Sequence, residues 1–251
     1  MPRAHRYFLP GHVWHITHRC HKQQFLLRFA KDRRAWMHWL YQARRRYGLC
    51  VLNYIVTSNH IHLLVRDRGR GEIARSMQLI AGRVAQQYNR RKSRKGAYWE
   101  DRYHATAVQA DTHLARCMVY IDLNMVRAGV VEHPSDWVHA GFNEIQALPE
   151  KYRCIDVPAL TTLLGFSDTE ALQAGLQEWV DMTLAGGSAE HEPAWTRSIA
   201  VGQRDYLDAI SRKLRRNHPT CKIKGTGDHL YLREECSAYM IEKTAKKHVP
   251  V

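Results

Sequence analysis

No Cys-x-x-Cys pair occurs in this 251-residue chain. Its six cysteines, Cys20, Cys50, Cys117, Cys154, Cys221 and Cys236, follow no regular spacing. That argues against a zinc ribbon and against a disulfide framework, and for free thiols in a reducing cytoplasm. No run approaches the ~18 apolar residues that a membrane-spanning helix needs, and the N-terminus lacks the apolar centre of a secretory signal. A soluble, intracellular protein with no membrane partner is expected. No internal repeat is found. Acidic residues are scarce where basic ones are dense: residues 1–130 hold 7 Asp and Glu against 24 Lys and Arg. The balance reverses to 13 against 4 over residues 131–210 and returns to 4 against 10 over residues 211–251. A formal charge of +14, concentrated in an arginine-rich first half, fits a polyanion, and nucleic acid is the expected partner.

What is present divides the chain in two. His12–His18 has the aromatic and β-branched content of a strand, and Lys31–Tyr47 repeats Ala35, Trp36, Trp39, Leu40 and Ala43 at helical spacing before Gly48. Leu49–Thr57 and His60–Arg66 read as two strands joined by the short Ser58-Asn59 turn, hence an antiparallel hairpin. Glu72–Arg91 has the apolar spacing of a long amphipathic helix. Ala105–Gln109 is a fourth strand, and Thr112 to about Ala128 a further helix closed by Gly129. Strand, helix, strand, strand, helix, strand, helix is the ferredoxin-like split βαβ order with one helix added. The fold expected is therefore α+β, with an antiparallel sheet and packed helices over residues 1–145. Residues 146–251 read as a mostly helical accessory region of unassigned role.

The densest chemistry lies in Asn59-His60-Ile61-His62-Leu63-Leu64. Side chains of a strand alternate, so His60 and His62 share a face and two imidazoles two positions apart can share one metal ion. In the later helix, Tyr120 and Asn124 are one turn apart on a common face. Should that face lie across the histidine strand, the site holds a nucleophile, two imidazoles and a neutral oxygen ligand. That set suits phosphodiester chemistry, with a divalent ion as Lewis acid and template. Asp122 and Glu100 compete with Asn124 as the third ligand. Asp122 lies two residues from Tyr120, on another side of the helix. Tyr88 and Tyr103 are rival nucleophiles; only Tyr120 has a polar partner at the fourth position in an apolar helix.

The His-hydrophobe-His strand, the earlier His15-Ile16-Thr17-x-Arg19, and Tyr120-Ile121-Asp122-Leu123-Asn124-Met125-Val126-Arg127-Ala128-Gly129 together resemble the single-tyrosine HUH transposases, most closely the REP-associated tyrosine transposases. The resemblance covers roughly residues 5–145. It implies a ferredoxin-like catalytic core, a Mg²⁺ or Mn²⁺ ion, and cleavage of single-stranded DNA through a 5′-phosphotyrosine. It also implies recognition of a DNA hairpin with a tetranucleotide guide at its foot, and a place in a prokaryotic cytosol or nucleoid. Carried over by position, Tyr120 matches the nucleophile, His60 and His62 the metal ligands, and Asn124 a further polar ligand. Monomer and homodimer are both compatible with it. The chain departs from the pattern at Arg19-Cys20, where Arg-Gly is common, and at Asn124-Met125, where Asn-Pro is usual; the second change removes a proline's restriction.

The basic runs Arg44-Arg45-Arg46 and Arg90-Arg91-Lys92-Ser93-Arg94-Lys95 close two helices and are expected to meet phosphate, together with Arg19, Arg102 and Arg127. Trp99 follows the second run, and stacking on unpaired bases is as natural for it as a place in the core. The group His12, His15, His18, Cys20 and His21 has zinc-ligand chemistry but the spacing of no common zinc site. Two functions remain: a metal-dependent tyrosine nuclease and strand transferase, or a domesticated hairpin-binding protein without turnover.

Overall fold

The computed structural model describes residues 9–110, 112–187, 192–215, 221–227 and 229–234. Part of the basic tail 211–251, residues 216–220, 228 and 235–251, lies outside them, as does Cys236. The elements of the first half are β1 (Val13–Arg19), α1 (Ala30–Tyr47), β2 (Cys50–Val56), β3 (His60–Arg66), α2 (Glu72–Arg91), β4 (His104–Val108), α3 (Thr112–Asp122) and α4 (Asn124–Arg127). Apolar, β-branched β2 is buried along its whole length, while the polar ends of β3 leave His60 half-buried and Arg66 exposed. β1 lies between β3 and β4, antiparallel to both, and β2 pairs antiparallel with β3. The order β2-β3-β1-β4 is that of a split βαβ sheet.

The sheet does not end there. The second half holds α5 (Gly141–Gln146), α6 (Val157–Leu164), α7 (Thr169–Ala185), α8 (Ala194–Arg197), β5 (Ala200–Val201), α9 (Arg204–Arg215), β6 (Cys221–Lys224) and β7 (Tyr231–Glu234). β5 pairs in parallel with β4, and β7 and β6 continue the sheet to seven strands in the order β2-β3-β1-β4-β5-β7-β6. The region read as mostly helical thus adds three strands, each of two to four residues and too short for periodicity to reveal. β4 is not an exposed edge, because the amides of Ala107 and Gln109 donate to the carbonyls of Ile199 and Val201.

Register sorts the side chains. Thr17 faces His62, His15 faces Leu64, and Ile55 faces His62 across the other side of β3. His15, Thr17, His60, His62, Asn53 and Ile55 therefore belong to the face on which α3 lies. Ile16, Ile61 and Leu63 occupy the opposite face, on the side of the paired helices α1 and α2, where His18 stacks on Trp99 and Tyr54 meets Trp36. The helix expected from Thr112 to Ala128 is broken at Leu123, whose ψ of 5° departs from the helical value. Hydrogen bonds from Leu123 N–H to Val119 and from Arg127 N–H to Leu123 carry the helical course through the break. Tyr120 thus lies in the last turn of one helix and Asn124 begins the next.

The bond from Asn53 Nδ2 to Asp122 Oδ1 (2.9 Å) ties α3 to the sheet, and Asn53 Oδ1 accepts from the Tyr54 amide at 2.7 Å. Gly141 leaves room for this side chain: a Cβ there would stand 2.3 Å from Asn53 Oδ1 and 3.0 Å from the Tyr54 nitrogen. Gly141→Ala is expected to destabilise the fold by about 1–3 kcal/mol through overpacking. A shift of the urea-unfolding midpoint to lower denaturant measures it, and an unchanged midpoint would show that the Asn53 contact yields without cost.

Candidate active site

His60 and His62 project from one face of β3 with ring centroids 5.0 Å apart. The Tyr120 ring lies 5.9 Å from His62 and 6.1 Å from His15 by centroids, nearly perpendicular to both. Asn124 Nδ2 donates to His62 Nε2 at 3.1 Å. The helix face carrying Tyr120 and Asn124 does lie across the histidine strand. Asp122 is turned to Asn53 instead, and Glu100 sits exposed, its amide bonded to the Arg19 carbonyl. Tyr88 packs on Tyr98, and Tyr103 approaches His18 on the opposite face of the sheet.

Hydrogen-bond direction fixes the tautomers. The amide nitrogen of Asn59 donates to the Gln23 carbonyl, so its oxygen is the acceptor 2.7 Å from His60 Nδ1. His60 therefore carries Nδ1–H and keeps its lone pair on Nε2. His15 Nδ1 lies 2.9 Å from the Trp195 carbonyl, which can accept but not donate, so His15 also carries Nδ1–H. Its Nε2 is then the acceptor for His62 Nδ1–H at 2.8 Å, between rings tilted by 13°. The lone pair of His62 falls on Nε2, toward Asn124. Both imidazoles of the pair thus present an unprotonated nitrogen, and the carboxamide of Asn124 lies beside that of His62. The side chains fit a divalent ion. Among the described residues no three imidazole, thiol or carboxylate groups gather where they could hold one metal ion.

Burial sets the electrostatics. His15 and His62 are almost without solvent contact, and desolvation lowers both pKa values, that of His15 to about 3. Burial pushes the Tyr120 phenol above 10, with Arg127 as the leading opposing influence. The Arg127 guanidinium lies 4.1 Å over the Tyr120 ring and donates to the Tyr120 carbonyl. This residue, read from sequence as a DNA contact, is turned onto the tyrosine.

The other basic residues separate into two groups. Arg19 is exposed at the end of β1 opposite His60. Of the run Arg90, Arg91, Lys92, Arg94 and Lys95, three residues lie against the start of α1 and the loop before it: Arg91 pairs with buried Asp32, Lys92 lies 5.8 Å from the Phe29 ring and half-buried Arg94 reaches Gln24. That loop is bonded to the histidine turn through Leu27 N–H to Ser58 O and Asn59 Nδ2 to Gln23 O. Arg44, Arg45 and Arg46 close α1, about 21–24 Å along the helix from Ala30 at this end. Arg102 is exposed beside β4, and Trp99 stacks on His18 with its N–H on the Ala81 carbonyl. His12, His15 and His18 diverge, to Tyr206, to His62 and to Trp99 respectively. Sequence reasoning did not assign a role to His15, although strand alternation puts it on the site's face, and nothing in the sequence signals the Trp195 carbonyl.

Residues 11–124, just under half of the chain, match the sequence model of the family described as "Transposase IS200 like". The match begins before β1 and ends at Asn124, so it contains every residue of the cluster except Arg127 and Trp195. No curated protein matches the chain. Among solved structures, a REP-associated tyrosine transposase bound to a REP hairpin is similar at 20% identity with a TM-score of 0.48, over 59% of this chain and 87% of that one. A candidate transposase from Deinococcus radiodurans R1 is similar at 14% identity with a TM-score of 0.34, over 43% of this chain and 87% of that one. No helix among the described residues is long and apolar enough to cross a membrane.

The lowered pKa of His15 predicts a fold that loses stability in acid. A histidine held below its unfolded value of 6.5 contributes stability above that pH and loses it as the pH falls toward about 3. The urea midpoint should be level above pH 7 and decline from pH 6.5 downward. His15→Gln, which keeps an acceptor but takes up no proton, should flatten the decline by on the order of a few kcal/mol at full protonation. Parallel slopes for the two proteins would show that His15 is protonated without cost.

Proposed function

We propose that this protein is a metal-dependent single-strand DNA endonuclease and strand transferase of the IS200-like transposase type, with Tyr120 as nucleophile and His60, His62 and Asn124 as ligands of Mg²⁺ or Mn²⁺. One observation carries the reading: Tyr120, both imidazoles and the Asn124 carboxamide share one face of the sheet, with both imidazole lone pairs on Nε2. When bound, the ion supplies Lewis-acid polarisation of a phosphate oxygen. Tyr120 attacks phosphorus as the phenolate; its O–P bond forms as the bond to the 3′-oxygen breaks, giving a 5′-phosphotyrosine and a free 3′-hydroxyl. Reversal on another 3′-hydroxyl would join strands. Arg127, over the ring, favours the anionic phenolate, and loss of surrounding water on substrate binding would strengthen that effect.

The substrate read from the family resemblance is single-stranded DNA with hairpin structure, acted on by a monomer or homodimer in a prokaryotic cytosol or nucleoid. Arg19, opposite His60, and the Arg90–Lys95 run, beside the loop bonded to the histidine turn, are assigned to the strand near the cleaved bond; Arg44, Arg45 and Arg46 are assigned to a more distant part of the duplex, and Arg102 to flanking phosphate. We assign the chemistry to residues 1–145 and an accessory role to residues 146–251. A domesticated hairpin-binding protein without turnover is less well supported, since it gives Tyr120 and the paired lone pairs no task.

Tyr120→Phe should abolish covalent adduct formation on a labelled hairpin while leaving binding nearly unchanged, because one oxygen is removed and the ring packing stays. Transfer of labelled 5′ phosphate to the Tyr120→Phe protein would refute the nucleophile. Binding should also weaken steeply with salt, with a logarithmic slope of about −0.7 for each single-strand phosphate neutralised. Equal affinities at low salt and at a fourfold higher concentration would remove the electrostatic assignment of the basic residues.

A further inference from the structure

We infer that the C-terminal segment around Trp195 is a positioning element of the active site, in which the Trp195 carbonyl and His15 select the tautomer of His62 and aim its Nε2 lone pair at Asn124. The inference rests on the reading of His62 as a metal ligand and adds to it the group that makes His62 competent. Two bonds in series carry it, His15 Nδ1–H to the Trp195 carbonyl (2.9 Å) and His62 Nδ1–H to His15 Nε2 (2.8 Å). The sense of the chain is set at one end, because a carbonyl oxygen has no proton to give.

The opposite tautomer of His62 meets two conflicts. Its Nδ1 lone pair would face the His15 Nε2 lone pair at 2.8 Å, and its Nε2–H would face the Asn124 amide N–H. Neither group has water at hand, since His15 and His62 are 0% and 2% exposed. His60 needs no such help, as its tautomer is set by Asn59 within the hairpin turn. The ligand pair is therefore oriented from two sources far apart in the chain.

The segment is held firmly enough to act this way. The Ser198 carbonyl accepts from Thr106 Oγ1 at 2.8 Å and from His104 Nε2 at 3.0 Å. The Ile199 carbonyl accepts from the Ala107 amide, and the Ile199 amide donates to Leu232. Trp195 itself is buried, with its ring 6.2 Å from that of Tyr120 by centroids. Hydrogen-bonding partners behind metal-ligating histidines typically contribute 10–100-fold to metal affinity, because they fix ring orientation and tautomer.

The test uses the full-length chain without DNA. Long-range ¹H–¹⁵N correlation on ¹⁵N-histidine protein, free of metal, reads the tautomers, with His15→Gln and His62→Ala for assignment. His15 and His62 should both show Nδ1–H and bare Nε2. Mn²⁺ titration followed by electron paramagnetic resonance then compares variants whose circular dichroism matches the parent. His15→Leu, which removes the acceptor, should weaken Mn²⁺ binding about 10–100-fold, and His15→Gln, whose Oε1 can accept from His62 Nδ1–H, should recover most of it. Nε2–H on His62 in the parent, or parental Mn²⁺ affinity in folded His15→Leu, would overturn the relay. Unchanged Mn²⁺ binding in His62→Ala would instead overturn the ligand assignment beneath it. Should His15→Leu fail to fold, the tautomers of the parent and the affinity of His15→Gln still decide.

Discussion

Burial favours the neutral imidazole and makes an unmet ring nitrogen costly, and around His15 and His62 the partners that meet that cost join three distant parts of the chain. β3 supplies His62, β1 supplies His15 two positions along the neighbouring strand, and α8 supplies the Trp195 carbonyl. The Asn124 amide completes the set from the start of α4. Each partner is needed because an unsatisfied polar atom in this interior would cost about 1–3 kcal/mol. The polar line across an otherwise apolar sheet face is thus both a structural tie and the element that gives His62 its direction.

The same constraint explains why the sheet runs on beyond β4. A sheet ending at β4 would leave its outer amides exposed and would leave His15 Nδ1 facing an open side. Pairing β4 with β5 satisfies Ala107 and Gln109, and it brings Trp195 and Ser198 over the side chains of His15, His104 and Thr106. The acidic half of the chain thereby meets the basic half through backbone bonds and carbonyl acceptors.

On the helical side, apolar and polar demands are met by separate residues. Leu114, Cys117, Met118 and Ile121 bury α3, Asp122 binds Asn53, and Tyr120 is left facing the imidazoles under the Arg127 guanidinium. Burial of Asp122 raises its carboxyl to about 7, because the Asn53 bond only partly offsets desolvation. A near-neutral, amide-bonded carboxyl is a poor candidate for cation binding, which is why Asn124 and Asp122, two residues apart, divide between site and scaffold.

Residue pattern alone determined the α+β class, the hairpin of β2 and β3, the bounds of α2, and the sharing of a face by His60 with His62 and by Tyr120 with Asn124. These are local properties, written in periods of 2 and 3.6 residues, and short-range sterics enforce them wherever the chain goes. The motifs with their order also carried the family resemblance that the match over residues 11–124 meets. The break at Leu123, the strands of the C-terminal third, the turn of Arg127 onto Tyr120 and the distance of Arg44–Arg46 from the histidines were decided by tertiary structure. So was the role of His15: a backbone carbonyl 180 residues away selects its tautomer, and every residue type has that carbonyl, so no sequence signal marks which one will arrive.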